Sequence, residues 1–112
     1  MELSEKEPSW APAYVVGIYP RLAKRAMELG YALALHGSLQ TDLDIIAIPW
    51  VDDAVDAQTL ANEMLGVFNG DFVHGESEPT VKPHGRLVWS IDLWWGAYID
   101  FGVMPIKQAE EG

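Results

Sequence analysis

Four successive apolar residues, Ile45, Ile46, Ala47 and Ile48, sit inside the segment Leu43–Trp50 and leave it no polar face. A run this short, rich in β-branched residues and lacking alternation, reads as a strand buried on both sides, hence an interior strand of a sheet. The rest of the chain must supply that strand with neighbours and a covering layer. Tyr31–His36 reads as the preceding strand, joined to it by the polar turn Gly37–Thr41. Arg86–Trp95 alternates, with Leu87, Trp89, Ile91, Leu93 and Trp95 on one face and Val88, Ser90, Asp92 and Trp94 on the other. Tyr98–Met104 is the last strand, its apolar face made by Ile99, Phe101 and Val103.

Two helices supply the layer. Pro20 suits the first turn of a helix running to about Leu29, with Leu22, Ala26 and Leu29 on one face and Arg21, Lys24, Arg25 and Glu28 around the other. Gly30 is placed to end it in a left-handed turn. Asp52 or Asp53 can cap a second helix through Phe68, whose buried stripe is Leu60, Met64, Val67 and Phe68 and whose stop is Asn69-Gly70. Residues 70–85, with three Gly and two Pro, read as a long loop. The order helix, strand, strand, helix, strand, strand predicts an α+β fold: a small mixed or mostly antiparallel sheet of about four strands, with two helices packed on it. The expected organisation is a flexible arm over residues 1–13, a single domain over 14–105 and a polar tail over 106–112.

Charge and composition narrow the function classes. Seventeen acids against seven bases give a formal charge of −10, which disfavours nonspecific nucleic-acid binding, since that runs on phosphate neutralisation by Lys and Arg. The absence of cysteine excludes disulfides, thiolate zinc sites and cysteine nucleophiles. The acidic start lacks the apolar run of a secretory signal. The apolar stretch Leu87–Met104 contains Asp92 and Asp100, each costing about 2.5–3.5 kcal/mol near a bilayer centre, so strands are expected there rather than a membrane span. The expected location is cytoplasmic.

The chemistry-bearing residues cluster in His36-Gly37-Ser38-Leu39-Gln40-Thr41-Asp42-Leu43-Asp44. On an extended chain Asp42 and Asp44 leave the same face, and paired carboxylates are the hard-oxygen donors that Mg²⁺ accepts. Asp100 places a third acid in an otherwise apolar strand. A three-residue turn, Trp95-Gly96-Ala97, sets Asp92 opposite Asp100 while keeping both apolar faces aligned. Acids facing each other destabilise a sheet unless a cation or a proton intervenes.

A Gly-Ser pair after a strand, an Asp-x-Asp opening the next strand and a hydrophobic-Asp-hydrophobic strand together resemble the nucleotidyltransferase superfamily in its minimal form. The resemblance implies Gly37 and Ser38 as phosphate contacts. It implies Asp42, Asp44 and Asp100 as ligands of Mg²⁺ or Mn²⁺ and as the catalytic acids, with Asp100 the base for the incoming hydroxyl. A nucleoside triphosphate or another small phosphate ligand is then the expected partner. Only Leu39 to Thr41 separate the Gly-Ser pair from Asp42, a shorter elbow than the family's. The strings His36–Trp50 and Tyr98–Pro105 also resemble small proteins of unassigned function encoded by tailed phages and prophages.

Plainer roles compete for each residue. Asp42 can cap the bend, Asp44 and Asp100 can face solvent, and Arg86 can pair with one of many acids. Arg86 is also the best-suited phosphate contact, since its planar fork fits phosphate or carboxylate. His36, His84 and Asp92 are candidates for supporting roles, and His74 is expected to be solvated. Trp50 and Trp94 could line a partner surface. The reading set against an enzyme is a non-catalytic protein of the same fold, acting through protein–protein contacts or as a homo-oligomer. Metal-dependent phosphoester hydrolysis is a third.

Overall fold

The computed structural model describes residues 10–37, 43–68, 73–75, 78–93 and 98–106. Helix α1 (Trp10–Glu28) leads into β1 (Tyr31–His36) and β2 (Leu43–Pro49). Helix α2 (Ala57–Phe68), β3 (Val73–Gly75), β4 (Thr80–Val81), a short 3₁₀ turn (Pro83–Gly85), β5 (Leu87–Leu93) and β6 (Tyr98–Val103) follow. The strands form one mixed six-stranded sheet in the order β1-β2-β6-β5-β3, with β4 also paired to β5. β2 and β6 run parallel, and every other pair is antiparallel. The α+β architecture with two helices on a mixed sheet is therefore as expected, with two short strands added.

Those two strands correct the long-loop reading of residues 70–85. β3 and β4 have three and two residues, too few to show alternation, and they form by pairing with β5. α1 also starts at Trp10 rather than Pro20, so Trp10–Pro12 and Ala13 are helical rather than part of an arm. Pro20 lies inside α1, where its missing N–H removes the hydrogen bond to the Val16 carbonyl. Gly30 ends α1 as expected, at φ +100°. No described helix is long and apolar enough to cross a membrane.

Odd-numbered strand residues face the helices. Leu43, Ile45, Ala47, Ile99, Phe101, Val103, Trp89 and Ile91 pack with Ile18, Leu22 and Ala26 of α1 and Leu60, Ala61, Met64 and Phe68 of α2 into one core. β2 is interior in the hydrogen-bonding sense, between β1 and β6, but it is buried on one face only: Ile46 is half-buried and Ile48 is 45% exposed. The apolar run thus covers both faces of a sheet with helices on just one. Arg25 ties the two helices together, donating from Nε and Nη2 to Glu63 Oε1 at 3.1 and 2.8 Å. It and Lys24 also pair with Glu28, so this basic cluster is neutralised by neighbouring acids.

The cap of α2 is Asp56, rather than Asp52 or Asp53. Its Oδ1 accepts the Thr59 backbone N–H at 2.8 Å. That bond, supported by the Thr59 side chain, holds the Asp56 carboxyl below the usual carboxylate range. A depressed carboxyl stabilises the fold above the unfolded pKa of about 3.9, and the contribution disappears as pH falls through the lower folded value. Asp56→Ala is expected to lower Tm at neutral pH and to flatten the acid limb of the Tm–pH curve, as checked by thermal melts between pH 2 and 7.

Candidate active site

Four strands bring one residue each to a common level on the face away from the helices. His36 of β1 pairs with Asp44 of β2, Asp44 is the parallel partner of Asp100 on β6, and Asp100 is the antiparallel partner of Ser90 on β5. Directly paired residues leave the same side of a sheet, and neighbouring strands lie about 4.8 Å apart. The row His36, Asp44, Asp100, Ser90 therefore sets two carboxylates side by side in its middle. Asp44, Asp100 and Ser90 are half-buried, and His36 is exposed.

Each acid is seated by a neighbour. The Ser90 hydroxyl donates to Asp100 Oδ1 at 3.4 Å, a long bond that orients more than it stabilises. Gly37 follows β1 at φ +82°, and a Cβ there would lie 2.5 Å from Asp44 Oδ2. That dihedral favours glycine, and the missing side chain leaves the Asp44 carboxylate room against the backbone.

Arg86 lies on the same face. It is half-buried at the entry to β5, and its chain crosses Gly102: a Cβ on Gly102 would meet Arg86 Nη1 at 3.0 Å and Cδ at 3.5 Å. Gly102 is the next residue after Asp100 to point to this face, roughly 7 Å along β6. The ion pairs among the described residues are Lys24–Glu28, Arg25–Glu28 and Arg25–Glu63, and none uses Arg86. A guanidinium held over a glycine of the strand that carries Asp100 is suited to an anion such as a phosphate. Gly102→Ala is expected to displace the Arg86 side chain by a few tenths of an ångström with little change in Tm. Calorimetry on both proteins checks this.

The remaining candidates separate. Ser38 and Asp42 lie outside the described residues. Asp92 is opposite Tyr98, not Asp100, and is exposed. This corrects the expected hairpin register by two residues, a slip that leaves every residue on its original face. His84 is exposed at φ 67° in the 3₁₀ turn that precedes β5, outside the row of paired residues. His74 is the cross-strand partner of Asp92. Among the described residues no group of three or more His, Cys, Asp or Glu side chains is gathered to hold a metal ion, so Asp44 and Asp100 stand there as a pair. Ser90 and Gly102 were not singled out as site residues. Their signals were a hydroxyl on the polar side of an alternating strand and a glycine within a strand interior.

No family model matches the chain, and no curated protein does. Among solved structures it is similar to the Cid1 poly(U) polymerase, in a structure with Mg and 3′-dATP bound. The TM-score is 0.56 at 16% identity, over 91% of this chain and 31% of the polymerase chain. The fold is nucleotidyltransferase-like. This chain thus spans about a third of the length of the polymerase it matches, and the likeness concerns the fold.

Proposed function

We propose that the protein catalyses metal-dependent nucleotidyl transfer to a hydroxyl acceptor. The observation that carries this is the juxtaposition of Asp44 and Asp100 on the open face of a nucleotidyltransferase-like sheet. Two adjacent carboxylates are a hard-oxygen donor set that repels itself when empty, which fits Mg²⁺ or Mn²⁺. Asp44, Asp100 and Asp42 would hold the ion or ions. When bound, a dication neutralises the triphosphate and favours attack at phosphorus.

The chain's own residues supply the rest. Asp100, oriented by Ser90, takes the proton of the acceptor hydroxyl. That oxygen bonds to the α-phosphorus while the bond to the bridging oxygen breaks, and pyrophosphate leaves with the electron pair. Arg86 holds phosphate oxygens, as do Gly37 and Ser38 at the end of β1. Their contribution is orientation of the reacting atoms.

The test is turnover and binding on the same samples. Wild type with Mn²⁺, each nucleoside triphosphate and a ribose-hydroxyl acceptor such as an oligonucleotide is expected to release pyrophosphate and to show calorimetric binding. Asp44→Asn combined with Asp100→Asn is expected to lose both while remaining folded. A wild type that binds neither ion nor nucleotide contradicts the proposal and favours a non-catalytic protein of this fold.

A further inference from the structure

We infer that two copies of this chain join through β1, pairing these strands antiparallel about Leu33 into one continuous sheet. Among the described residues β1 is the outermost strand on its side, and six residues long, whereas the opposite edge is formed by the two- and three-residue strands β4 and β3. Long edge strands are normally protected by Lys, Pro or a bulge. Tyr31–His36 has no Lys or Pro and pairs without interruption to β2. Residues 29–41 contain no Lys, Arg, Asp or Glu, in a chain whose formal charge is −10.

The hydrogen-bonding phase shows which groups are on offer. Trp50 N–H donates to the Gly30 carbonyl at 3.0 Å, so the even-numbered residues of β1 bond to β2. The N–H and C=O groups of Tyr31, Leu33 and Leu35 therefore point outward. Pro49, which lacks an N–H, sits opposite Tyr31 at a position where none is needed.

The occupant follows from self-complementarity. Pairing about Leu33 sets Leu33 against its copy, Tyr31 against Leu35, and Ala32 against Ala34. The outward-pointing residues then meet as hydrogen-bonded pairs. The closer, non-hydrogen-bonded pairs fall on the two alanines, the smallest side chains in the strand. Leu33 and Leu35, which pack on the core but remain partly exposed, meet apolar partners on the same face. An uncharged strand is also the segment with which a strongly acidic chain approaches its own copy at least electrostatic cost. The rotation axis is perpendicular to the sheet, so both Asp44/Asp100 pairs stay on one open face. The inference is independent of the proposed chemistry.

Sedimentation velocity from micromolar to near-millimolar concentration tests it on the full chain. Wild type is expected to reach twice the chain mass of 12.4 kDa. Ala32→Lys with Ala34→Lys places like charges opposite each other and is expected to be monomeric. Ala32→Lys with Ala34→Glu places opposite charges there and is expected to dimerise, with circular dichroism confirming that both variants fold. In wild type the Leu33 and Leu35 amides are expected to exchange more slowly at high concentration. A monomeric wild type, or two variants that associate equally, overturns the inference.

Discussion

Replacing Asp100 with Asn is expected to stabilise the metal-free protein while removing the proposed nucleotidyl transfer. Asp44 and Asp100 occupy neighbouring register positions on a parallel pair, and like charges so placed destabilise a sheet. Asn retains an oxygen that accepts from Ser90, so the hydrogen bond from the Ser90 hydroxyl, at 3.4 Å, survives the change. The urea midpoint of the variant should rise. Activity moves the other way, because the amide cannot take the acceptor's proton, and loss of a general base costs about 10²–10⁴-fold in rate. Adding Mn²⁺ should reverse the order of stabilities, since an ion that binds only the folded wild type raises its Tm with concentration. A variant less stable than wild type without metal, or equally stabilised by it, contradicts the shared site.

Phe101→Ala is expected to have the largest effect on folding. Phe101 is fully buried in β6, paired to Ile45 on one side and Trp89 on the other. Truncating a buried aromatic costs about 3–5 kcal/mol, against a total of about 5–15 kcal/mol for a small domain. The urea midpoint should fall by about a fifth or more at constant m-value. Because Phe101 follows Asp100 in the chain, the proposed metal binding should weaken with it. Ile48→Ala, on the 45% exposed Ile48 of the open face, should be close to neutral. Equal costs at the two positions contradict the one-sided core.

The contrast between these positions explains how far the sequence could be read. Alternation in Arg86–Trp95 placed Trp89 and Ile91 on the core face and Ser90 on the other, because burial imposes a period of two. The same period is blind to a register shift by two, which is why Asp92 was set opposite Asp100 when its partner is Tyr98. The run Ile45–Ile48 revealed that β2 has strands on both sides. It could not reveal that one face lacks a covering layer, since an exposed isoleucine reads like a buried one. Asp56 was missed as a cap because Asp52 and Asp53 offer the same side chain a turn earlier, and only the path of the backbone selects among them. Pro20 suggested a helix start where α1 runs through it. At the site, Gly37, Asp44, Asp100 and Arg86 were legible as residue types. Their convergence depends on β2 and β6 lying parallel and adjacent, a long-range pairing with no local signature.

Paramagnetic broadening by Mn²⁺ of the assigned amide and carboxyl resonances tests the shared site most directly. An acidic chain attracts cations over its whole surface, so location decides the outcome. Broadening at low Mn²⁺ is expected to centre on Asp44, Asp100 and Ser90, to spare Gly30 and Trp50 at the opposite end of the sheet, and to vanish in Asp44→Asn with Asp100→Asn. Broadening spread evenly over the acidic surface, or unchanged in that double variant, contradicts a dication held between β2 and β6.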